Sequence, residues 1–205
     1  MKQAISTAAA FLETAFDVLN KQYFDSALSK PMITIQSTPS AYGHFTPYDA
    51  WQDENGNGRK EINLGAENLN RPAENTIATL VHEMVHYYCD MHDIKDTSRN
   101  GVYHNKRFKV EAEKRGLVIS YDNSIGWSKT KPAPELMELV KAQGWDTLGF
   151  ARRGGGAASA TRTRKPSSTR KYSCPCCGQS VRATKRINII CGDCDEAMVS
   201  EGGED

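Results

Sequence analysis

The sequence predicts an α+β chain in three parts: a main domain over residues 1–150, a flexible basic linker over 151–171, and a small cysteine module with an acidic tail over 172–205. Three observations lead there. Apolar residues recur at helical spacing in two long stretches near the N-terminus, with strand-like alternation between them. Charge is segregated along the chain, and four cysteines in two short pairs lie close to its end.

Taken in order, Ile5, Ala8, Leu12, Ala15, Phe16, Leu19 and Tyr23 recur every three or four residues, which makes the first element an amphipathic helix packed on the core. Met32–Gln36, Tyr42–Thr46 and Glu61–Leu64 read as short strands, separated by Pro39 and by the turn-rich segment Asp53–Gly58, and suggest a small antiparallel sheet. A second helix is expected from about Asn75 to Met91, because Ile77, Leu80, Val81, Met84, Val85 and Tyr88 keep helical spacing and neither Pro nor Gly occurs between Ala73 and Gly101. Asp93 to Gly101 reads as loop, Asn105 to Arg115 as a helix stopped by Gly116, Leu117–Ser120 as a short strand, and Ala133 to Gln143 as a helix ending near Gly144.

The net charge of +1 hides an uneven distribution. Residues 1–150 carry 16 Lys+Arg and 19 Asp+Glu, residues 151–190 carry 10 Lys+Arg and no acid, and the last fifteen residues add six acids. Between Arg152 and Lys171 stand three consecutive glycines and no large aliphatic or aromatic side chain, so that segment cannot bury enough apolar area to offset its ordering entropy. No apolar run approaches the roughly 18 residues a membrane span needs, and Lys2–Ser6 leads into Glu13 and Asp17 rather than a secretory core. A cytoplasmic chain with no membrane partner is expected, one in which paired cysteines read as metal ligands rather than disulfides.

The main domain's chemistry is concentrated in His82-Glu83-Met84-Val85-His86. On a helix, residues four apart share a face with Cβ atoms about 5–6 Å apart, so both imidazoles can close on one zinc ion. Glu83 is badly placed as a further ligand but can take a proton from a water beside the ion, the role of a general base. A chance match to this pattern is expected in roughly one such sequence per hundred, and its setting on an apolar helix lowers that further. A catalytic zinc normally has three protein ligands and one open position. Two histidines are available as the third. His92 has the spacing His-Glu-x-x-His-x-x-Gly-x-x-His would require, but Cys89 stands where that pattern turns the chain at glycine; His104 lies beyond the loop, in His104-Asn105-Lys106-Arg107-Phe108.

At these residues the chain resembles the SprT-like (Spartan-like) zinc metalloprotease family, whose His-Glu-x-x-His helix is followed by a loop and a His-x-x-x-Phe segment. The similarity extends to Leu80–Tyr88, to the strand Glu61–Leu64 and to Leu19-Asn20-x-x-Tyr23-Phe24, over roughly residues 10 to 120, and includes a C-terminal cysteine module. It implies a zincin-like metalloprotease domain, His104 rather than His92 as third ligand beside His82 and His86, and proteolysis of protein substrates coupled to DNA. Cys89 is read as a small buried hydrophobe, His44 is given no role, and Glu111 and Glu113 are read as a solvated helix face beside Lys109, Lys114 and Arg115. No spacing singles out an oxyanion donor among Tyr87, Tyr88, Tyr103 and Arg107.

Cys174-x-x-Cys177 and Cys191-x-x-Cys194, thirteen residues apart, have the spacing of a zinc ribbon. Four thiolates close the coordination shell, so this second zinc is expected to be structural, with Cys176 as a spare thiol. Arg182, Lys185 and Arg186 in the module join Arg152, Arg153, Arg162, Arg164, Lys165, Arg170 and Lys171 in an acid-free basic tract, the footprint of a polyanion such as DNA. Only Tyr172 is aromatic there, which favours phosphate contact over base stacking. The expected activity is zinc-dependent peptide-bond hydrolysis with Glu83 as base, acting on DNA-bound or DNA-crosslinked proteins. The competing expectation is a non-proteolytic DNA-binding or regulatory protein with two structural zinc sites.

Overall fold

Helix α1 (Ile5–Tyr23) buries Ala8, Leu12, Ala15, Phe16 and Leu19 along one stripe. It opens a computed structural model that describes residues 5–149, 151–152 and 169–201. The chain divides into two compact units, Met1–Ala160 and Thr161–Asp205. Most of the expected linker, with Arg153, Arg162, Arg164 and Lys165, lies outside the described residues.

After α1 the chain reverses through Asp25 and Ser26, both at positive φ. Asn20, near the helix end, holds this reversal: its side-chain amide donates to the Leu28 carbonyl at 2.8 Å and its carbonyl accepts the Leu28 N–H at 3.2 Å. Strands β1 (Met32–Gln36), β2 (Gly43–Gln52) and β3 (Gly58–Gly65) follow. They form one sheet in the order β1-β3-β2, but it is mixed, not antiparallel: β3 pairs antiparallel with β2 and parallel with β1. A parallel pair needs a crossover, and β2 itself serves as one.

The central position of β3 buries both of its faces. Ile62 and Leu64 enter the apolar core. On the opposite side Glu61 accepts from Thr34 and Gln36, and Asn63 accepts the Gln36 N–H at 2.7 Å and donates to Thr38 at 2.8 Å, so neither buried polar group lacks a partner. A 3₁₀ turn, Ala66–Asn68, and Pro72 lead into helix α2 (Ala73–Met91), in which twelve of nineteen residues are buried. It is therefore a core helix rather than a surface one. Leu80, Met84 and Val85 pack with Phe16 and Leu19 of α1 in the same cluster.

Beyond α2 the expected loop contains a small hairpin, strands β4 (Thr97–Ser98) and β5 (Tyr103–His104), closed by Arg99, Asn100 and Gly101, all at positive φ. Helix α3 (Lys106–Glu113), strands β6 (Leu117–Asp122) and β7 (Gly126–Pro132), and helix α4 (Pro134–Ala142) complete the unit. The second sheet has the order β4-β5-β7-β6, with β5 parallel to β7 through the pair His104 and Gly126. Leu136 and Val140 of α4 close the core.

In the second unit, β8 (Arg170–Ser173) lies between β9 (Ser180–Ala183) and β12 (Val199–Glu201), while β10 (Ile190–Cys191) and β11 (Glu196–Ala197) form a two-stranded ladder. Tyr172 is its buried aromatic, and the Ile187 N–H donates to its hydroxyl at 3.2 Å.

Asn20→Ala leaves both backbone groups of the buried Leu28 without their partner. It should destabilise the first unit by about 1–3 kcal/mol, read as a lower urea midpoint with an unchanged slope; an unchanged midpoint would show that water replaces the amide there.

Candidate metal centre

The helical periodicity of α2 sets His82 and His86 one turn apart on one face, and their Nε2 atoms stand 3.2 Å apart. β5 brings His104 to the same point, with its Nε2 3.2 Å from that of His82 and 3.0 Å from that of His86. Three nitrogens held about 2.0–2.1 Å from one tetrahedral ion would lie roughly 3.3 Å from each other. The observed triangle is close to that size.

The other ring nitrogens show which tautomers are present. His86 Nδ1 is 2.5 Å from a carboxylate oxygen of Asp96, which can only accept, so the neutral ring has its proton on Nδ1 and its lone pair on Nε2. His82 Nδ1 is 2.8 Å from the Thr130 hydroxyl, whose own proton is directed to the Ser128 carbonyl, so here too Nε2 is the lone-pair nitrogen. Two lone pairs facing each other at hydrogen-bond distance repel unless a cation lies between them. The donor set thus fits a metal ion. Burial lowers the pKa of His82 well below the usual range, with the neighbouring histidines adding to the effect, and burial with His86 lowers His104 to about 4. His82 and His104 can therefore meet an ion as neutral imidazoles.

Several neighbours hold this arrangement. Phe108, fully buried, lies under the cluster with its ring centroid 4.6 Å from His82 and His86 and 4.7 Å from His104. It is placed by Asn105, the N-cap of α3, whose side-chain oxygen accepts from Arg107 and Phe108 N–H. The Asn105 N–H also donates to the Asp96 carbonyl at 2.9 Å, tying the carboxylate that orients His86 to the start of α3. Gly126 is required beside His104: its φ is +74°, and a Cβ there would fall 2.1 Å from the His104 carbonyl oxygen.

Glu83 projects from the adjacent position of α2 and is buried against β2. Burial pushes its carboxyl up to about 7, opposed by His86 and by a hydrogen bond from the Phe45 N–H. Gly43 leaves the space it occupies, since a Cβ there would come within 3.1 Å of Glu83 Oε1 and 2.8 Å of the Asn63 carbonyl.

Other residues weighed from the sequence lie elsewhere. His92 forms the C-cap of α2, stacked on Tyr88 at 4.0 Å with Nδ1 against the Tyr88 carbonyl at 2.8 Å. Cys89 is fully buried, which pushes its thiol up to about 12. His44 is exposed and contacts Asn63 only at 3.5 Å. Glu111 is not solvated: it pairs at 2.6 Å with Arg115, which is itself buried over the rings of Tyr88 and Phe24, because the guanidinium needs a counter-charge there. Sequence reasoning passed over Asp96 and Thr130, two polar residues in segments with no periodicity, at spacings from the histidines that no helix or strand rule marks.

In the second unit, Cys174, Cys177, Cys191 and Cys194 form a second group able to hold a metal, with all sulfurs within 4.8 Å of one another. The Cys177 and Cys191 sulfurs are 3.7 Å apart, close to the roughly 3.8 Å expected for two thiolates on one tetrahedral zinc. Each pair sits in a knuckle: the Gly178 N–H donates to the Cys174 carbonyl at 3.0 Å with φ +74°, and the Asp195 N–H to the Cys191 carbonyl at 2.8 Å with φ +53°. Cys176 is exposed and outside the group of four. Arg170, Arg182, Lys185 and Arg186 are exposed on this unit, while Lys171 is half-buried.

The model of the SprT-like family matches residues 12–123, more than half of the chain. The chain belongs to the SprT-like family. No curated protein and no solved structure matches it. The SprT-like match spans α1 to β6, and so includes His82, Glu83, His86, Asp96, His104 and Phe108; Gly126, Thr130 and the four ribbon cysteines lie outside it.

His104→Ala should lower the metal content of the purified SprT-like chain by one ion, while His92→Ala leaves it unchanged; the reverse result would contradict the site. Asp96→Ala should weaken retention at the same site about 10- to 100-fold in competition with a chelator. In the chelated protein, His104 has a folded value of about 4 against its ordinary 6.5, so the unfolded chain takes up the proton first as pH falls. In the metal-free Glu83→Gln chain, which lacks the opposing proton uptake by the buried Glu83 carboxyl, stability should be level above about pH 6.5 and drop by roughly 3 kcal/mol towards pH 4, as read from urea midpoints; stability rising on acidification of that chain would contradict the burial of neutral imidazoles.

Proposed function

We propose that this SprT-like chain is a zinc-dependent metalloprotease with Glu83 as its general base. The observation that carries the reading is the convergence of three Nε2 atoms within 3.2 Å of one another, with the buried carboxylate of Glu83 next in sequence to His82. His82, His86 and His104 would hold the catalytic zinc, and Cys174, Cys177, Cys191 and Cys194 a structural one. A zinc ion held by these three imidazoles would supply Lewis acidity, acidifying water and polarising a carbonyl.

The chain's own residues do the rest. Asp96 and Thr130 keep the ring protons of His86 and His82 on Nδ1, so both Nε2 atoms remain available. Glu83, lifted to about 7 by burial, is poised to accept the proton of the attacking water and to return it to the leaving amine nitrogen. Phe108 excludes water from the floor of the site, which strengthens the electrostatics above it.

The substrates we propose are proteins bound or crosslinked to DNA. The supporting observation is the basic tract, with ten cations and no acid over residues 151–190, which would raise the concentration of the protease near a DNA-bound target. Arg162, Arg164, Lys165, Arg170, Lys171, Arg182, Lys185 and Arg186 would supply phosphate contacts. Among the described residues no helix is long and apolar enough to cross a membrane, and a cytoplasmic, DNA-associated location accords with the reading.

A protein crosslinked to an oligonucleotide, incubated with the wild-type chain, should be cleaved faster than the same protein free of DNA. Glu83→Gln should lower the rate about 10²- to 10⁴-fold without loss of metal. Cleavage unaffected by Glu83→Gln would refute the mechanism, whereas equal cleavage with and without DNA would refute only the delivery.

A further inference from the structure

A second notable surface lies on the first unit, beginning one residue in sequence from His104 of the histidine cluster. Side chains of successive strand residues point to opposite faces, so in β5 His104 turns towards the other histidines and Tyr103 away from them. Tyr103 lines a concavity of about 500 Å³ together with Asn105, Lys106, Tyr121 and Trp127. The three aromatic residues are far apart in sequence but form one assembly: the Tyr103 and Tyr121 hydroxyls are 3.1 Å apart, and the Tyr121 and Trp127 ring centroids 5.1 Å apart. Tyr121 is 47% exposed, and Trp127 is half-buried.

Cations flank these rings. The Arg99 guanidinium lies 4.8 Å from the Tyr103 ring centroid, and the Lys109 ammonium lies 4.2 Å from that of Trp127. Lys106 lines the hollow itself. Among the described residues Arg99 and Lys106 form no ion pair, and Lys109 meets Glu113 only at 3.7 Å. The nearest acid on the β6–β7 hairpin, Asp122, is taken by Lys129 at 2.9 Å.

This combination selects a ligand class. A cationic ligand is disfavoured, because protein cations already lie against two of the rings. An uncharged apolar segment would leave Arg99 and Lys106 without a counter-charge. A flexible polyanion bearing planar rings satisfies both features, with bases on the aromatic rings and phosphates at the cations. A duplex keeps its bases stacked within itself and could offer only phosphates.

We infer that Tyr103, Tyr121 and Trp127, with Arg99, Lys106 and Lys109, form a stacking site for single-stranded nucleic acid beside the metal cluster. Its use rests on the proposed DNA-directed protease, since it would hold an unpaired strand next to the cleavage site; its existence does not. Measuring binding in the Glu83→Gln chain separates the two, because this site can fail while proteolysis stands, and the reverse.

The experiment uses the full chain and oligothymidylate, with one thymine replaced by 5-iodouracil for photo-crosslinking. Crosslinks should map to Tyr103, Tyr121 or Trp127. Tyr121→Ala should weaken binding about tenfold, whereas Tyr121→Phe, which keeps the ring, should bind like the parent. Lys106→Ala should reduce the slope of log affinity against log salt by about 0.7. Thermal melting of each variant establishes that it is folded. Crosslinks confined to residues 153–201, parental affinity and salt slope in both alanine variants, or protection of Trp127 by an unfolded polypeptide but not by oligothymidylate would overturn the inference.

Discussion

Helix α2 has to end where it does, and the site depends on that ending. A helix turns about 100° per residue, so continuing it would carry His92 well away from the face shared by His82 and His86. Instead Asp93 adopts φ +53°, and the Ile94 N–H closes on the Cys89 carbonyl at 2.8 Å. His92 becomes the cap of the helix. The chain then folds back on itself, bringing Asp96 to His86 and His104 to the cluster. The residue that would compete as third ligand is thus consumed in the turn that delivers the actual neighbour.

The reversal succeeds because few contacts fix it, each with little tolerance. Gly126 lets β5 approach β7 to a distance that no other residue permits. Asn105 joins the segment bearing Asp96 to the first turn of α3, and α3 in turn sets Phe108 beneath the three rings. These contacts collect polar groups in a place from which water is largely excluded. Buried neutral imidazoles and a buried carboxyl oppose folding until a cation compensates them, so metal binding and stability of this region are linked. The site is made at a cost to the apo fold, and the all-round apolar packing of α2 offsets it.

How much of this could be read beforehand followed from the range of the interactions. α1, α2 and α4 were legible because their apolar residues repeat at helical spacing, and the cysteine module because its ligands are close in sequence. The direction of β1 was not, since a strand pairing parallel has the same short apolar pattern as one pairing antiparallel. β4 and β5 are two residues each, too short for any periodicity, and β7 reads Gly-Trp-Ser-Lys-Thr-Lys-Pro, with one apolar side chain. Yet β5 and β7 fix His104. Asp96, Thr130 and the Tyr103, Tyr121 and Trp127 assembly are likewise products of tertiary proximity. The solvated face expected for Glu111 and Glu113 holds only for Glu113, because a charged pair at helical spacing such as Glu111 and Arg115 looks the same in the sequence whether it is exposed or buried.

The central proposal is that the chain would hold two zinc ions in unlike shells, one of imidazoles and one of thiolates. Zinc K-edge absorption of the full, metal-loaded chain addresses it directly. The account predicts an average shell of about two sulfur scatterers near 2.3 Å and two nitrogen or oxygen scatterers near 2.0–2.1 Å, with the outer-shell signature of imidazole. A shell of sulfur alone, or one without imidazole scattering, would contradict it.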